Sequence, residues 1–79
     1  MPRYFFNVHD GHSEHDTEGT ELTSADAARV LAVQLAGEVL RDDAHRQSRG
    51  ETWCLEVLSE AGGIVCSVNV SVSVPSPNG

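Results

Sequence analysis

The chain contains no lysine, and its five basic residues are all arginine, against twelve acids. A formal net charge of −7 leaves no basic surface for a phosphate backbone, so we expect no nucleic-acid partner. Long hydrophobic runs are also missing, so we expect no signal peptide and no membrane span. The sequence therefore predicts a cytoplasmic protein with no membrane partner. At 79 residues the chain has room for one small core, and most enzymes with large enclosed pockets are excluded.

Cysteine is scarce as well, with only Cys54 and Cys66 present. Nothing else in the sequence indicates an oxidising compartment. Neither cysteine has a basic residue beside it in the sequence to lower the thiol pKa, so we predict structural cysteines and no nucleophile.

The first half of the chain predicts a strand, a turn and a helix. Residues 3–9 are rich in aromatic and β-branched side chains and alternate in polarity, Asp10-Gly11 is a tight-turn signal, and a short returning strand is predicted near residues 14–18. Cap-type hydroxyls precede an alanine-rich run, which predicts a helix from about Ser24 to about His45.

The predicted helix has more apolar surface than one sheet face needs. The stripe predicted to face the sheet contains Ala28, Leu31, Ala32, Leu35 and Val39. Val30, Val33 and Leu40 fall outside this stripe, which indicates a second partner surface. Gly37 costs the helix roughly 1 kcal/mol relative to alanine, and close approach of another backbone is a common compensation.

Two alternating runs, residues 53–59 and 63–74, predict a β-hairpin around an Ala61-Gly62 loop. The register that collects every large apolar side chain on one face places Val57 opposite Cys66, Leu55 opposite Val68, and Trp53 opposite Val70. Cys54 then points to the other face from Cys66, so we expect two free thiols.

The last strand of the predicted hairpin is unusually neutral, because residues 61–79 carry no charge. At a sheet edge such a strand invites pairing with another chain, and Val68, Val70 and Val72 are therefore candidate interaction residues. Prolines end the strand, so the predicted domain covers residues 1–75, with a loose tail over residues 76–79.

Residues 9–16 contain the one pattern that suggests a metal. His9, His12, His15 and Asp16 could converge on zinc, nickel or copper. The same composition is typical of a hydrated turn, and nothing fixes these histidines on one helix face. We therefore favour incidental histidines, predict no cofactor, and keep a metal or small-ligand site as the alternative.

Three acids before the helix, Asp16, Glu18 and Glu21, are candidate interaction residues. One interpretation is structural: Gly19 makes a turn with positive φ while the acids flank the helix entrance. The other is that the acidic loop steers a basic protein partner. The run does not match a calcium-binding loop, and we expect no acid/base catalysis from it.

Several segments together resemble a known family. They are Met-Pro-Arg-Tyr-Phe-Phe-Asn-Val at residues 1–8, Asp10-Gly11, Asp-x-Glu-Gly-x-Glu-Leu at residues 16–22, and Trp-x-Leu-Glu-Val at residues 53–57. In this order, over residues 1 to about 65, they resemble a family of short proteins of unknown function common in rhizobia and related alphaproteobacteria. The resemblance implies a fold and a bacterial origin, and it implies nothing about chemistry.

These patterns predict an α+β fold in the order β-β-α-β-β, with one long helix packed on one face of a small antiparallel sheet. A core this small favours a homodimer. The leading hypothesis is therefore a non-enzymatic, homodimeric interaction module with a protein partner. The alternative is the metal- or small-ligand-binding protein, and a small enzyme with a cleft at a dimer interface is a third possibility.

Overall fold

The computed structural model describes residues 1–10, 13–42, 52–73 and 75. Within them the elements are β1 (Arg3–His9), β2 (Ser13–Glu14), β3 (Thr20–Glu21), α1 (Ala25–Asp42), β4 (Thr52–Ser59) and β5 (Ile64–Ser71). One helix and a small antiparallel sheet confirm the predicted α+β class and element order. The predicted returning strand near residues 14–18 is instead two dipeptides, β2 and β3, which flank a loop.

The sheet has the order β2-β1-β4-β5, and β3 also pairs with β1. Every described pairing is antiparallel. Among the described strands, β1 is therefore covered on its outer side by β2 and β3, whereas β5 has β4 on one side and forms the other edge.

Helix α1 begins where the cap-type hydroxyls predict. The Ser24 side-chain oxygen accepts a hydrogen bond from the Ala27 N–H at 3.1 Å, and the Ser24 carbonyl accepts one from the Ala28 N–H at 3.1 Å. This is an N-cap, and Asp26 in the first turn complements the helix dipole. The described helix ends at Asp42, and the predicted end at His45 lies outside the described residues.

The helix face against the sheet is built from alanine. Ala28, Ala32 and Ala36 are buried, and Leu35 and Val39 pack against the core beside them. Four of the five residues of the predicted stripe are thus confirmed; Ala36 joins them, and Leu31 is only half-buried. Residues four apart form one ridge, and a ridge of methyl groups brings the helix closest to the sheet.

The hairpin has the predicted register in its central part. Val57 lies opposite Cys66, Leu55 opposite Val68, and Trp53 opposite Val70. Leu55, Val57 and Trp53 are buried, so the tryptophan is the core anchor that the alternation predicts, and its indole N–H has no hydrogen-bond partner among the described residues.

The predicted two-residue loop at Ala61-Gly62 is wrong. The Gly62 N–H donates to the Ser59 carbonyl at 2.9 Å, and the Ser59 N–H donates to the Gly63 carbonyl at 2.9 Å. Gly62 has φ 90°, so the connection is a three-residue loop that closes on a glycine in the left-handed region. The register shifts by one between Val57 and Leu58, where β5 contains an additional residue.

The prediction that all large apolar side chains share one face is wrong for Leu58, which follows the buried Val57, and, because of this shift, for Ile64. Leu58 is paired with Phe5 on one side and with Ile64 on the other, away from the helix. Ile64 is 63% exposed. The face of the sheet opposite α1 is thus partly apolar and partly solvated.

Candidate interaction surfaces

The acidic loop between β2 and β3 is fastened to β1 by side-chain hydrogen bonds. The Asp16 N–H donates to Asn7 Oδ1 at 2.9 Å, and the Phe6 N–H donates to Asp16 Oδ2 at 3.2 Å. Asn7 is the one buried polar residue among the described residues. We call these two hydrogen bonds, from the Asp16 N–H to Asn7 and from the Phe6 N–H to Asp16, the latch. It satisfies polar groups that would otherwise be buried without partners.

The second Asp16 oxygen folds the loop itself. Oδ1 accepts hydrogen bonds from the Glu18 N–H at 3.1 Å and the Gly19 N–H at 3.0 Å. Gly19 has φ 75°, and a Cβ at this position would lie 2.7 Å from Arg3 Cγ and 2.9 Å from Phe5 Cε1. Position 19 therefore requires glycine both for its backbone conformation and for the close approach to β1. The predicted positive φ at Gly19 is confirmed.

The electrostatics of Asp16 follow from these contacts. Burial raises the pKa of the carboxyl, but hydrogen bonds from the Gly19, Phe6 and Glu18 amides and the nearby Arg3 guanidinium act in the opposite direction. Their sum prevails, so the pKa lies below the ordinary value of 3.8. Asp16 is thus held as a carboxylate by the fold, because amide donors stabilise the charged form.

Arg3 organises the other acids of the loop. Its Nη1 donates to the Glu18 carbonyl at 2.8 Å, and its Nη2 donates to Glu21 Oε1 at 3.1 Å. Of the three acids predicted to contact a partner, Asp16 bonds to backbone amides and Glu21 pairs with Arg3. Glu18 places its side chain in solvent. Sequence reasoning missed Asn7 and Arg3, because their partners are about ten or more residues away.

The histidines do not form a metal centre in the described part of the chain. His9 Nδ1 lies 3.1 Å from Ser13 Oγ, and His9 Nε2 lies 2.9 Å from Glu56 Oε1. The His9 and His15 rings are in edge contact, with centroids 6.1 Å apart. No group of three candidate ligands occurs among the described residues, and His12 lies outside them. The metal site remains a prediction, and the Asp16 carboxylate is engaged elsewhere.

The cysteines lie on opposite faces, as the register predicts. Cys54 is paired with Asn69, Cys66 packs against the core opposite Val57, and both are free thiols. The sequence shows no basic neighbour, but β1 places His9 directly across from Cys54. Both ring nitrogens of His9 have hydrogen-bond partners of their own, Ser13 and Glu56.

The predicted interaction residues of β5 lie on its inner side. Val68 and Val70 pack against the core, and Val72, just beyond the strand, is half-buried. Their side chains therefore serve the fold, and what β5 presents outward is its backbone edge. The side chains that alternate with them, Ser67, Asn69 and Ser71, are exposed and neutral.

A second exposed surface lies along α1. Val30 is 42% exposed, Val33 53% and Leu40 37%. Gly37 lies between them, and a Cβ added there would meet no atom of the described residues outside its own helix backbone within 4 Å. We call these four residues the helix flank. The sequence predicts them as a surface separate from the core stripe, and the structure exposes them.

The fold and these surfaces define a small α+β domain whose conspicuous polar loop residues largely hold the loop in place. The chain belongs to the family described as domain of unknown function DUF6894, whose model matches residues 3–71. The match extends through the end of β5, further than the opening motifs suggest. No curated protein and no solved structure matches the chain. Within the described residues, no helix is both long and apolar enough to cross a membrane.

Proposed function

We propose that the chain is a non-enzymatic interaction module that forms a homodimer through the open edge of β5 and binds a protein partner in the bacterial cytoplasm. The observation that carries this proposal is the position of β5, an eight-residue strand at the sheet edge with no charged residue. Half of the backbone amides and carbonyls of such a strand point away from β4 and can pair with another strand.

A second copy is the occupant that the charge distribution favours. Each chain carries −7, so two copies repel each other over most of their surfaces. Residues 61–79 carry no charge, and two β5 strands can approach without opposing like charges. Antiparallel pairing of identical strands about a two-fold axis closes into a symmetric dimer.

The contacts of the polar residues support a non-enzymatic role. The Asp16 carboxylate accepts three backbone N–H groups, and both His9 nitrogens have hydrogen-bond partners. These are the bonds of a folded loop. A catalytic group must instead present a titratable atom to a substrate.

The protein partner is expected at the other end of the sheet. Glu14 and Glu18 are exposed on the segment that covers β1 and therefore lie away from the β5 edge. A basic segment fits this acidic surface, and attraction over a distance increases the rate of encounter. Dimerisation through β5 leaves the surface accessible on each copy.

Native mass spectrometry on protein purified without a chelator or a histidine tag tests the oligomeric state and any retained metal together. We expect a dimer mass at micromolar concentration with no added mass. A monomer at this concentration contradicts the proposal. A dimer with a stoichiometric extra mass that EDTA removes instead supports the metal-binding alternative.

A double variant locates the interface. Ser67→Lys with Asn69→Lys adds two charges to exposed positions in the middle of β5, and Ser67 lies opposite Glu56, which favours a lysine within the same chain. We expect this variant to be a folded monomer, because lysine on an edge strand opposes pairing. Ser67→Thr with Asn69→Thr is the matched neutral control and should remain a dimer. A dimer for both variants rejects the β5 interface.

A further inference from the structure

We propose that the helix flank forms the second half of the same interface, so that α1 of one copy packs antiparallel against α1 of the other, with Val33 of each copy on Gly37 of its partner. This inference rests on the proposed β5 dimer and adds the residues that give it shape. The occupant of the flank is a second copy of this chain.

The spacing of the flank is typical of a helix–helix contact. Val30, Val33, Gly37 and Leu40 follow one another at intervals of three, four and three residues, the a/d spacing of paired helices. Ala32 is at the centre of the buried alanine ridge. Because successive helix residues are about 100° apart, Val33 lies roughly 100° around the helix from it. The flank therefore points sideways, neither into the sheet nor directly away from it.

The chain topology determines which side it points to. β3 and β4 are both antiparallel to β1, so they are parallel to each other and α1 is the crossover between them. A right-handed crossover, the hand that such connections almost always have, turns the flank toward β5 and the opposite side of the helix toward β1. Burial agrees, since Ala27 and Leu31 on that opposite side are half-covered.

The distance between neighbouring strands would bring the two helices into contact in the proposed dimer. Helix α1 packs over β4 and β5. Strands are about 4.8 Å apart, so in a dimer joined at β5 each helix axis lies about 5 Å from the two-fold axis. The two axes are then about 10 Å apart, at the upper end of the usual helix-packing range of roughly 8–10 Å.

The flank is complementary to itself. When a two-fold axis perpendicular to the helices relates the two copies, Val33 of each copy faces Gly37 of the other, and Val30 of each faces Leu40 of the other. Gly37 has no contact with the described residues of its own chain that requires the absence of a side chain. It destabilises the isolated helix relative to alanine, and close packing of a partner valine on it would explain why this position is a glycine. None of the four residues is charged.

A pair of charge-matched variants tests the contact. Gly37→Glu inserts a charged side chain into the flank, and glutamate is a better helix former than glycine, so the monomer stays folded. Gln34→Glu adds the same charge on the exposed helix side that faces away from the sheet. By analytical ultracentrifugation we expect Gly37→Glu to raise the dimer Kd by more than about tenfold, since it buries an unpaired charge against Val33 of the partner copy, and Gln34→Glu to change it little.

The outcomes separate this inference from the proposed function. If both helix variants remain dimers while Ser67→Lys with Asn69→Lys dissociates, the edge dimer stands and the helix contact is rejected. If the unaltered chain is a monomer, both proposals fail. If Gln34→Glu dissociates as fully as Gly37→Glu, the effect is general repulsion and the helix contact is again rejected. Dissociation by Gly37→Glu alone, with unchanged circular dichroism, supports it.

Discussion

Replacing Asp16 by asparagine tests the role of the latch with the smallest change of shape. In Asp16→Asn, the remaining oxygen can still accept from the Glu18 and Gly19 amides, but the new NH₂ group faces the Phe6 N–H, so one acceptor is lost and two donors meet. Hydrogen bonds to a charged group are each worth about 1.5–3 kcal/mol. Because the site is partly solvated, we expect a loss of about 1–2 kcal/mol in the free energy of unfolding.

Urea denaturation followed by the fluorescence of Trp53 measures this loss, because Trp53 is the only tryptophan and is buried in the core. For a chain of this size the corresponding drop in Tm is about 4–8 °C per kcal/mol. Glu18→Gln removes the same charge from an exposed side chain of the same loop and should change stability by less than about 0.5 kcal/mol. Equal effects of the two substitutions would refute the role of Asp16 as an acceptor and leave only net charge.

The pH dependence provides a second check with a definite sign. The pKa of Asp16 is lowered in the folded state, so its contribution to stability is fully present above the ordinary value of 3.8. It is lost as the pH falls below 3.8 through the lower folded pKa. The stability difference between the unaltered chain and Asp16→Asn should therefore be constant near neutral pH and shrink in acid. A difference that grows in acid contradicts the assignment.

Four further predictions follow from packing and register. Gly19→Ala should destabilise the fold by more than about 2 kcal/mol, because of its φ and the 2.7 Å clash with a side-chain carbon of β1, whereas Gly37→Ala should stabilise the monomer by up to about 1 kcal/mol in thermal denaturation. Leu55→Ala, at a fully buried position, should cost about 2–5 kcal/mol in urea and leave much of the protein unfolded. Thiol titration in denaturant without reductant should find two free thiols per chain, from Cys54 and Cys66. A value near zero would show a disulfide and contradict the placement of the two cysteines on opposite faces of the sheet.

The elements that the sequence predicts well are those governed by local periodicity. Alternation alone gives the pairing of Val57 with Cys66 and of Leu55 with Val68, because a shift by one residue would move every apolar side chain to the other face. The start of α1 follows from the Ser24 cap. Both signals act within a few residues or along one pair of strands.

The parts that the sequence predicts poorly depend on distant contacts. Asn7 reads as a polar residue in an alternating strand, and only the returning loop explains its burial. For the same reason, the spacing of the acids does not predict the latch. That spacing suggests only a solvated surface. The additional residue in β5 near Leu58 could not be predicted either, since a bulge depends on the geometry of the loop beside it. Gly19 was predicted because its left-handed φ is a local property.

The unequal edges of the sheet have a consequence for the size of any assembly. On the β1 side, two short strands and the Asp16 side chain cover the outer edge, while no strand of the described residues covers the β5 side. A sheet with one open edge can pair with one further chain. If that chain pairs through its own open edge, only covered edges remain for a third chain. In the proposed dimer, growth by strand addition would therefore stop at two chains, and the loop of a few residues over β1 would prevent further polymerisation. Loosening the latch would expose a second edge and convert a closed pair into a unit that can propagate as a fibre.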